Sequence, residues 1–123
     1  MPGDRGRKTI LCIDDDDGIL TYHRELLERR GFAVVTTASA RKGVQIASTS
    51  MVTAVIVDYN MPEMNGHEVA TEIRRVRPQV PIVMVSGEDQ IPEDAVKLVN
   101  AVVPKGDVHV RLLPVLTRIC AEG

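Results

Sequence analysis

Apolar residues gather along the chain in five short runs, Thr9–Ile13, Ala33–Thr36, Ala54–Val57, Ile82–Val85 and Ala101–Val103, each closed by a polar residue or a Gly/Pro break. Short runs rich in Val and Ile with such boundaries predict strands. Between them, apolar side chains recur at helical spacing: Ile19, Tyr22, Leu26 and Leu27; Ala40, Val44 and Ala47; Val69, Ile73 and Val76; Val108, Leu112, Val115 and Ile119. Intervals of three, four and seven residues place these on one helix face. A further short helix is expected over Glu93–Asn100. Gly31 suits a helix end, Ser39 an N-cap and Pro92 a first helical turn. Strand and helix alternate throughout, which predicts an α/β fold with right-handed crossovers, a doubly wound parallel sheet of five strands and five helices on both faces. Residues 1–7, rich in Gly, Pro and charge, are expected to form a loose tail, leaving 8–123 as one domain.

Composition agrees with that architecture. A chain of 123 residues has room for one core. Its 44% apolar residues include one Phe, two Tyr and no Trp, so aliphatic side chains must fill the interior. Fifteen basic and seventeen acidic residues leave a formal charge of −2, which gives no general attraction to nucleic acid or anionic membrane. Cys12 and Cys120 both lie in apolar surroundings and read as buried hydrophobes. Without a signal peptide or long apolar span, the chain is expected in the cytoplasm and off the membrane.

In an open parallel sheet, ligands bind beyond the carboxyl ends of the strands. Asp14 to Asp17 follow the first run, Asp58 the third, Ser86 the fourth, and Lys105 stands just beyond the fifth. Two carboxylates at 4 Å repel by roughly 4 kcal/mol at an effective dielectric near 20. Magnesium, with its oxygen ligands and retained waters, offsets that repulsion and leaves room for a phosphate. The set suits phosphoryl transfer, with Asp58 as nucleophile, Ser86 donating to the phosphoryl group and Lys105 pairing with another oxygen.

The segments Ile10–Asp16 and Val55–Gly66 (the second reading V-I-V-D-Y-N-M-P-E-M-N-G), followed by Pro81–Gly87 and Lys105, closely resemble the receiver domains of two-component response regulators, notably the chemotaxis-type single-domain receivers. The likeness runs over nearly the whole chain. It implies a flavodoxin-like sheet of order 2-1-3-4-5. It also implies Mg2+ bound by Asp14, Asp15, Asp58 and the main-chain carbonyl of Asn60, with Asp58 phosphorylated by a sensor histidine kinase or a histidine phosphotransfer protein. Binding of a downstream protein target would then be modulated. Asn60 and Glu88 match positions whose side chains influence the lifetime of the phosphoryl state.

Three departures stand out. Gly106 replaces the proline that usually follows the lysine, so a trans Lys105–Gly106 bond is expected. Val102 replaces the Tyr or Phe that swings inward in many receivers, and the segment from Ser86 to Lys105 is shorter than usual by about one helical turn.

Taken singly, each site residue also has a bland reading. Asp14–Asp17 suits an acidic helix start, Asp58 a turn, and Lys105 a solvated surface position. Convergence of all of them at strand ends is what favours the functional one. His23, His67 and His109 lack metal-ligand spacing and are expected at surface or partly buried positions; Arg29, Arg30, Arg74, Arg75 and Arg77 are expected to favour helix carboxyl ends. The leading expectation is a regulatory phosphoacceptor, not an enzyme on other substrates, that promotes at most its own phosphorylation and dephosphorylation. A receiver whose surface matters more than its switching stays open. A small phosphohydrolase is disfavoured, because Asn60 stands where a second Asp would be needed and there is no cap domain. The last predicted helix runs almost to the chain end, as in a stand-alone regulator, and a piece of a longer protein also fits.

Overall fold

The structure, a computed structural model, describes residues 7–87 and 91–122. Most of the expected tail therefore lies outside the described residues, as does Glu88. Five strands form the sheet: β1 (Thr9–Ile13), β2 (Ala33–Thr37), β3 (Ala54–Asp58), β4 (Ile82–Ser86) and β5 (Ala101–Pro104). All neighbours pair in parallel in the order β2-β1-β3-β4-β5, the arrangement the family resemblance implies. Strands β2 to β5 each run one residue past their apolar run, because the parallel ladder continues through Asp58 opposite Val85 and Ser86 opposite Pro104. Asp58 and Ser86 are thus the last rungs of their strands and not loop residues.

Five α-helices cover the sheet: α1 (Asp17–Glu28), α2 (Ala40–Thr49), α3 (Gly66–Val76), α4 (Glu93–Val96) and α5 (Val108–Glu122). One apolar layer joins α1 and α5 to the sheet through Ile10, Cys12, Leu27, Leu112 and Leu116. The other joins α2, α3 and α4 through Leu11, Ile13, Val57, Ile73 and Met84. A sheet buried on both faces explains why its strands read as continuous apolar runs. Cys12 and Cys120 are buried, as expected. No helix among the described residues is long and apolar enough to cross a membrane.

Several local expectations hold. Gly31, at φ +90°, ends α1 with Phe32 N–H donating to Leu27 O and Gly31 N–H to Glu28 O, the paired closure that a left-handed residue permits. Ser39 caps α2 by accepting from Lys42 N–H. Pro92, in contrast, stands one position before α4, with ψ 141° placing it outside the helix. The helix itself covers only the first half of the segment predicted, and Lys97 to Asn100 close it as turns. His23 also departs from expectation. It is buried in the core-facing stripe of α1 beside Leu20 and Leu27, and its Nδ1 has no hydrogen-bond partner among the described residues.

Two arginines do more than favour a helix end. Arg74, in the last turn of α3, donates from Nε to Leu98 O (2.7 Å) and from Nη1 to Pro78 O (3.2 Å) and Val80 O. Its Nη2 donates to Asn100 Oδ1 (2.7 Å), which also accepts from Ile82 N–H (2.9 Å). One guanidinium thereby anchors the turns after α4 to α3 and to the start of β4. Arg77 closes α2 in the same way, through Ala47 O (3.0 Å) and Ser48 O (3.1 Å). Replacing Arg74 by Met keeps the stem and strips these carbonyls of their donor, so we expect a loss of about 1–3 kcal/mol in urea unfolding. An unchanged midpoint would show the fan to be dispensable.

Candidate functional site

The parallel ladder brings the carboxyl ends of β1, β3, β4 and β5 to one edge of the sheet. Asp14 follows β1 directly, and its N–H donates to Thr37 O (3.2 Å) at the end of β2. Its Oδ1 accepts from Asp16 N–H (2.9 Å), while Oδ2 is buried without a partner among the described residues. Asp16 turns away to cap α1, accepting from Gly18 N–H (2.8 Å) and Ile19 N–H (3.2 Å), and Asp17 lies in the first turn. The acidic run therefore divides its labour: the first two residues face the site and the next two start the helix. Carboxylate oxygens of Asp14, Asp15 and Asp58 all lie within 4.8 Å of one another.

Asp58 is 2% exposed. Its Oδ1 lies 3.3 Å from Lys105 Nζ and accepts from Asn60 N–H at 3.3 Å. Ser86 is buried to the same degree at the neighbouring strand end. Lys105 opens a short 3-10 turn, Lys105–Asp107, after Pro104, whose φ of −62° and ψ of 142° continue the strand to its end. Proline is tolerated there because β5 is an edge strand. No cis peptide bond occurs among the described residues, so the Lys105–Gly106 bond is trans, as expected. Gly87 flanks the lysine stem: a Cβ on it would stand 3.7 Å from Lys105 Cδ. Val102 is half-buried against the layer of α2, α3 and α4.

Other supports have no signal in residue type alone. Gly66 begins α3 so close to the loop after β3 that an added Cβ would stand 2.7 Å from Tyr59 Cα and 3.0 Å from Asp58 O. Its N–H donates to Tyr59 O at 2.7 Å, which locks the loop leaving Asp58. Asn65 and Glu68 complete a reciprocal cap on the same helix. Glu63 reaches across to the start of α2, accepting from Ala40 N–H (2.7 Å) and Ser39 Oγ (3.1 Å). Both Glu63 and Gly66 stand in the motif that carries the family resemblance, and that position was the available signal.

Electrostatics match the geometry. Burial raises the Asp14 carboxyl to about 6; the Asp16 N–H opposes this, and the Asp58 charge adds to it. Burial also raises Asp58, against the pull of Lys105 and the Asn60 N–H. A set made of carboxylate oxygens, one of them buried and without a partner among the described residues, is the donor chemistry of a small hard cation, and the residues present fit such an ion.

Comparison with known proteins agrees. The profile of the response regulator receiver domain family matches residues 10–103. The transcriptional regulatory protein GlrR of Escherichia coli is 33% identical over 84 residues, which is 68% of this chain and 19% of that relative. The chain thus matches about a fifth of that relative's length. Among solved structures, a CheY-like receiver domain from Methylobacillus flagellatus superposes with a TM-score of 0.85 at 25% identity, covering 93% of this chain and 99% of that one. The response regulator TrrA of Thermotoga maritima, solved in complex with Mg2+ and BeF, shares the fold at a TM-score of 0.86 and 24% identity, over 91% and 98%. The strand order and the layered helices define a domain of the flavodoxin-like class. The chain belongs to the response regulator receiver domain family of two-component systems.

Two predictions follow from the site. Gly66→Ala forces the Asp58 loop to move, so we expect unfolding easier by about 1–3 kcal/mol and shifted amide resonances from Asp58 to Asn60. The second concerns pH. Asp14, raised to about 6 from 3.8, binds its proton more tightly when folded. The stability this gives is present below 3.8 and lost as pH rises through 6. His23 is lowered to about 4 from 6.5 by burial and by Lys105, so its folded form resists protonation and stability falls as pH drops from 6.5 to 4. The two slopes oppose. In metal-free buffer, Asp14→Asn should gain on the order of 1–3 kcal/mol over wild type at pH 7.5 and nothing near pH 3.5, read from urea midpoints. A gain that is the same at both values would reject the assignment.

Proposed function

We propose that this domain is a phosphoacceptor switch, modified on Asp58 in a magnesium-dependent site and regulating the binding of a partner protein. The observation that carries the reading is the approach of three carboxylates at one sheet edge with Lys105 Nζ 3.3 Å from the central one. Asp14, Asp15, Asp58 and the Asn60 carbonyl would hold Mg2+. When bound, that ion supplies charge neutralisation on the phosphoryl oxygens.

An Asp58 carboxylate oxygen attacks phosphorus, the P–N bond of a phosphohistidine breaks, and the electron pair stays with the donor imidazole, leaving an acyl phosphate on the receiver. Lys105 neutralises charge on the transferred group and Ser86 donates a hydrogen bond to it. The phosphodonor is a histidine kinase or a phosphotransfer protein; small phosphodonors serve through the same chemistry. The domain acts in the cytoplasm through protein partners, with neither nucleic acid nor membrane as its own target. Its likeness to TrrA, solved with Mg2+ and BeF, supports the choice of ion and the use of that mimic.

A second reading, a receiver whose surface matters more than its switching, is favoured by two observations. Val102 occupies the place of the mobile aromatic, and Arg74 pins the turns after the four-residue α4. Both readings predict that Mg2+ with beryllofluoride shifts the resonances of Ser86 and Lys105, and that Asp58→Asn abolishes the shift. A response that survives in Asp58→Asn would overturn the site. Partner affinity separates the two readings: a change of tenfold or more on adding the mimic supports the switch, and equal affinity supports the second.

A further inference from the structure

Two neighbouring depressions of about 420 and 480 Å³ lie between the end of α1 and the outer face of α5. Both are lined by Arg30 and Thr117, so they form one continuous groove. It follows α5 from His109 to Ala121, a span of about 18 Å at the rise of an α-helix. Lys8 and Phe32, which precede β1 and β2, place its far end opposite the edge that carries Asp58.

Two properties define what it can hold. First, Arg30 and Arg118 line it with no ion-pair or side-chain hydrogen-bond partner among the described residues, and no carboxylate among those residues lines either depression. On the flanking elements, Glu28 and Asp107 are already paired with Arg24 (3.4 Å) and Arg111 (3.7 Å). Second, the walls are apolar: Phe32 at one end, then Leu113 and Pro114, with Val110 58% exposed at the other. Guanidiniums unpaired among the described residues, set beside apolar walls, match an acidic, partly apolar ligand.

We propose that this groove docks an acidic segment of a partner protein whose carboxylates meet Arg30 and Arg118 and whose apolar side chains rest on Phe32 and Leu113. A protein segment is favoured over nucleic acid or membrane because the chain as a whole is negative, at −2, so only a short local patch attracts an anion. Docking here is independent of the chemistry at Asp58.

The test titrates the full chain with a short fluorescent peptide of alternating Glu and Leu. An all-Glu peptide, a single-stranded DNA oligonucleotide and vesicles of phosphatidylserine and phosphatidylcholine serve as the other arms. The Glu/Leu peptide should bind saturably, weaken as salt rises, and shift amide resonances at Phe32 and Thr117. The all-Glu peptide should bind at least tenfold more weakly, and DNA and vesicles more weakly still. The R30E/R118E double variant, with both changes at exposed positions, should lose at least tenfold in affinity while its urea midpoint stays near wild type. Asp58→Asn should bind as wild type does, which keeps this result separate from the fate of the phosphoacceptor reading. Unchanged binding by R30E/R118E, tighter binding of DNA or vesicles, or no saturable binding of the peptide would each overturn the proposal.

Discussion

Buried negative charge at the end of β3 is the constraint around which the rest of this structure is arranged. Asp14 and Asp58 are each almost wholly removed from solvent, yet their oxygens and those of Asp15 lie within 4.8 Å. Burial alone works against their ionisation, and each charge works against the others. Among the described residues, the compensation includes one ammonium at 3.3 Å and two backbone N–H groups, from Asp16 and Asn60. That compensation is incomplete: Asp14 Oδ2 has no partner among the described residues and both carboxyls remain shifted upward. A fold that tolerates this cost in its own core holds a site suited to a cation, because a cation removes several unfavourable terms together.

Such a site requires backbone that does not yield. The central carboxylate is held by the last rung of a strand flanked on both sides, and the loop leaving it is closed by the Gly66 N–H. The same loop reaches α2 through Glu63, so the helix beside β1 starts from a side chain that belongs to the site's own connection. Gly43 of α2 lies against Ile13, the residue before Asp14, where a Cβ would stand 2.4 Å from Ile13 Cδ1. Packing on that face therefore reaches the acidic edge within one residue.

What the sequence disclosed and what it withheld divide along a physical line. Buried strands carry their own signature, since both faces are covered and the apolar run is unbroken; Thr9–Ile13 was legible to its ends. The final residues of β3 and β4 were not, because Asp58 and Ser86 are polar and join the ladder through pairing with distant strands. Strand order came from family resemblance, as local pattern does not say which strands are neighbours. The convergence of the candidate site residues was legible because four strand ends supplied complementary chemistry in one chain, whereas each alone had an ordinary alternative. Arg74, Arg77 and Glu63 stayed hidden for one reason: each reaches at least one partner about twenty to thirty residues away, and a long polar side chain reveals nothing of such a reach. His23 misled in the other direction, since a polar type on an apolar stripe suggested the margin of the core and the fold placed it inside.

The same long-range ties bear on how a change at Asp58 could travel. On the phosphoacceptor reading, the side chains with a differential interaction are Ser86 and Lys105, and only such contacts can move an equilibrium. Ser86 pairs with Pro104, the residue before Lys105, so both contacts converge on the end of β5. From there the chain enters the 3-10 turn and α5 directly. The path towards α4 is different, because Arg74 fastens the turns after that helix to α3 and the half-buried residue at 102 is a valine with a short stem. A four-residue helix closed by turns and tied by one guanidinium has little freedom to repack on its own. The element best placed to respond is therefore the β5–α5 connection, where Gly106 leaves the backbone open and an added Cβ would meet nothing within 4 Å.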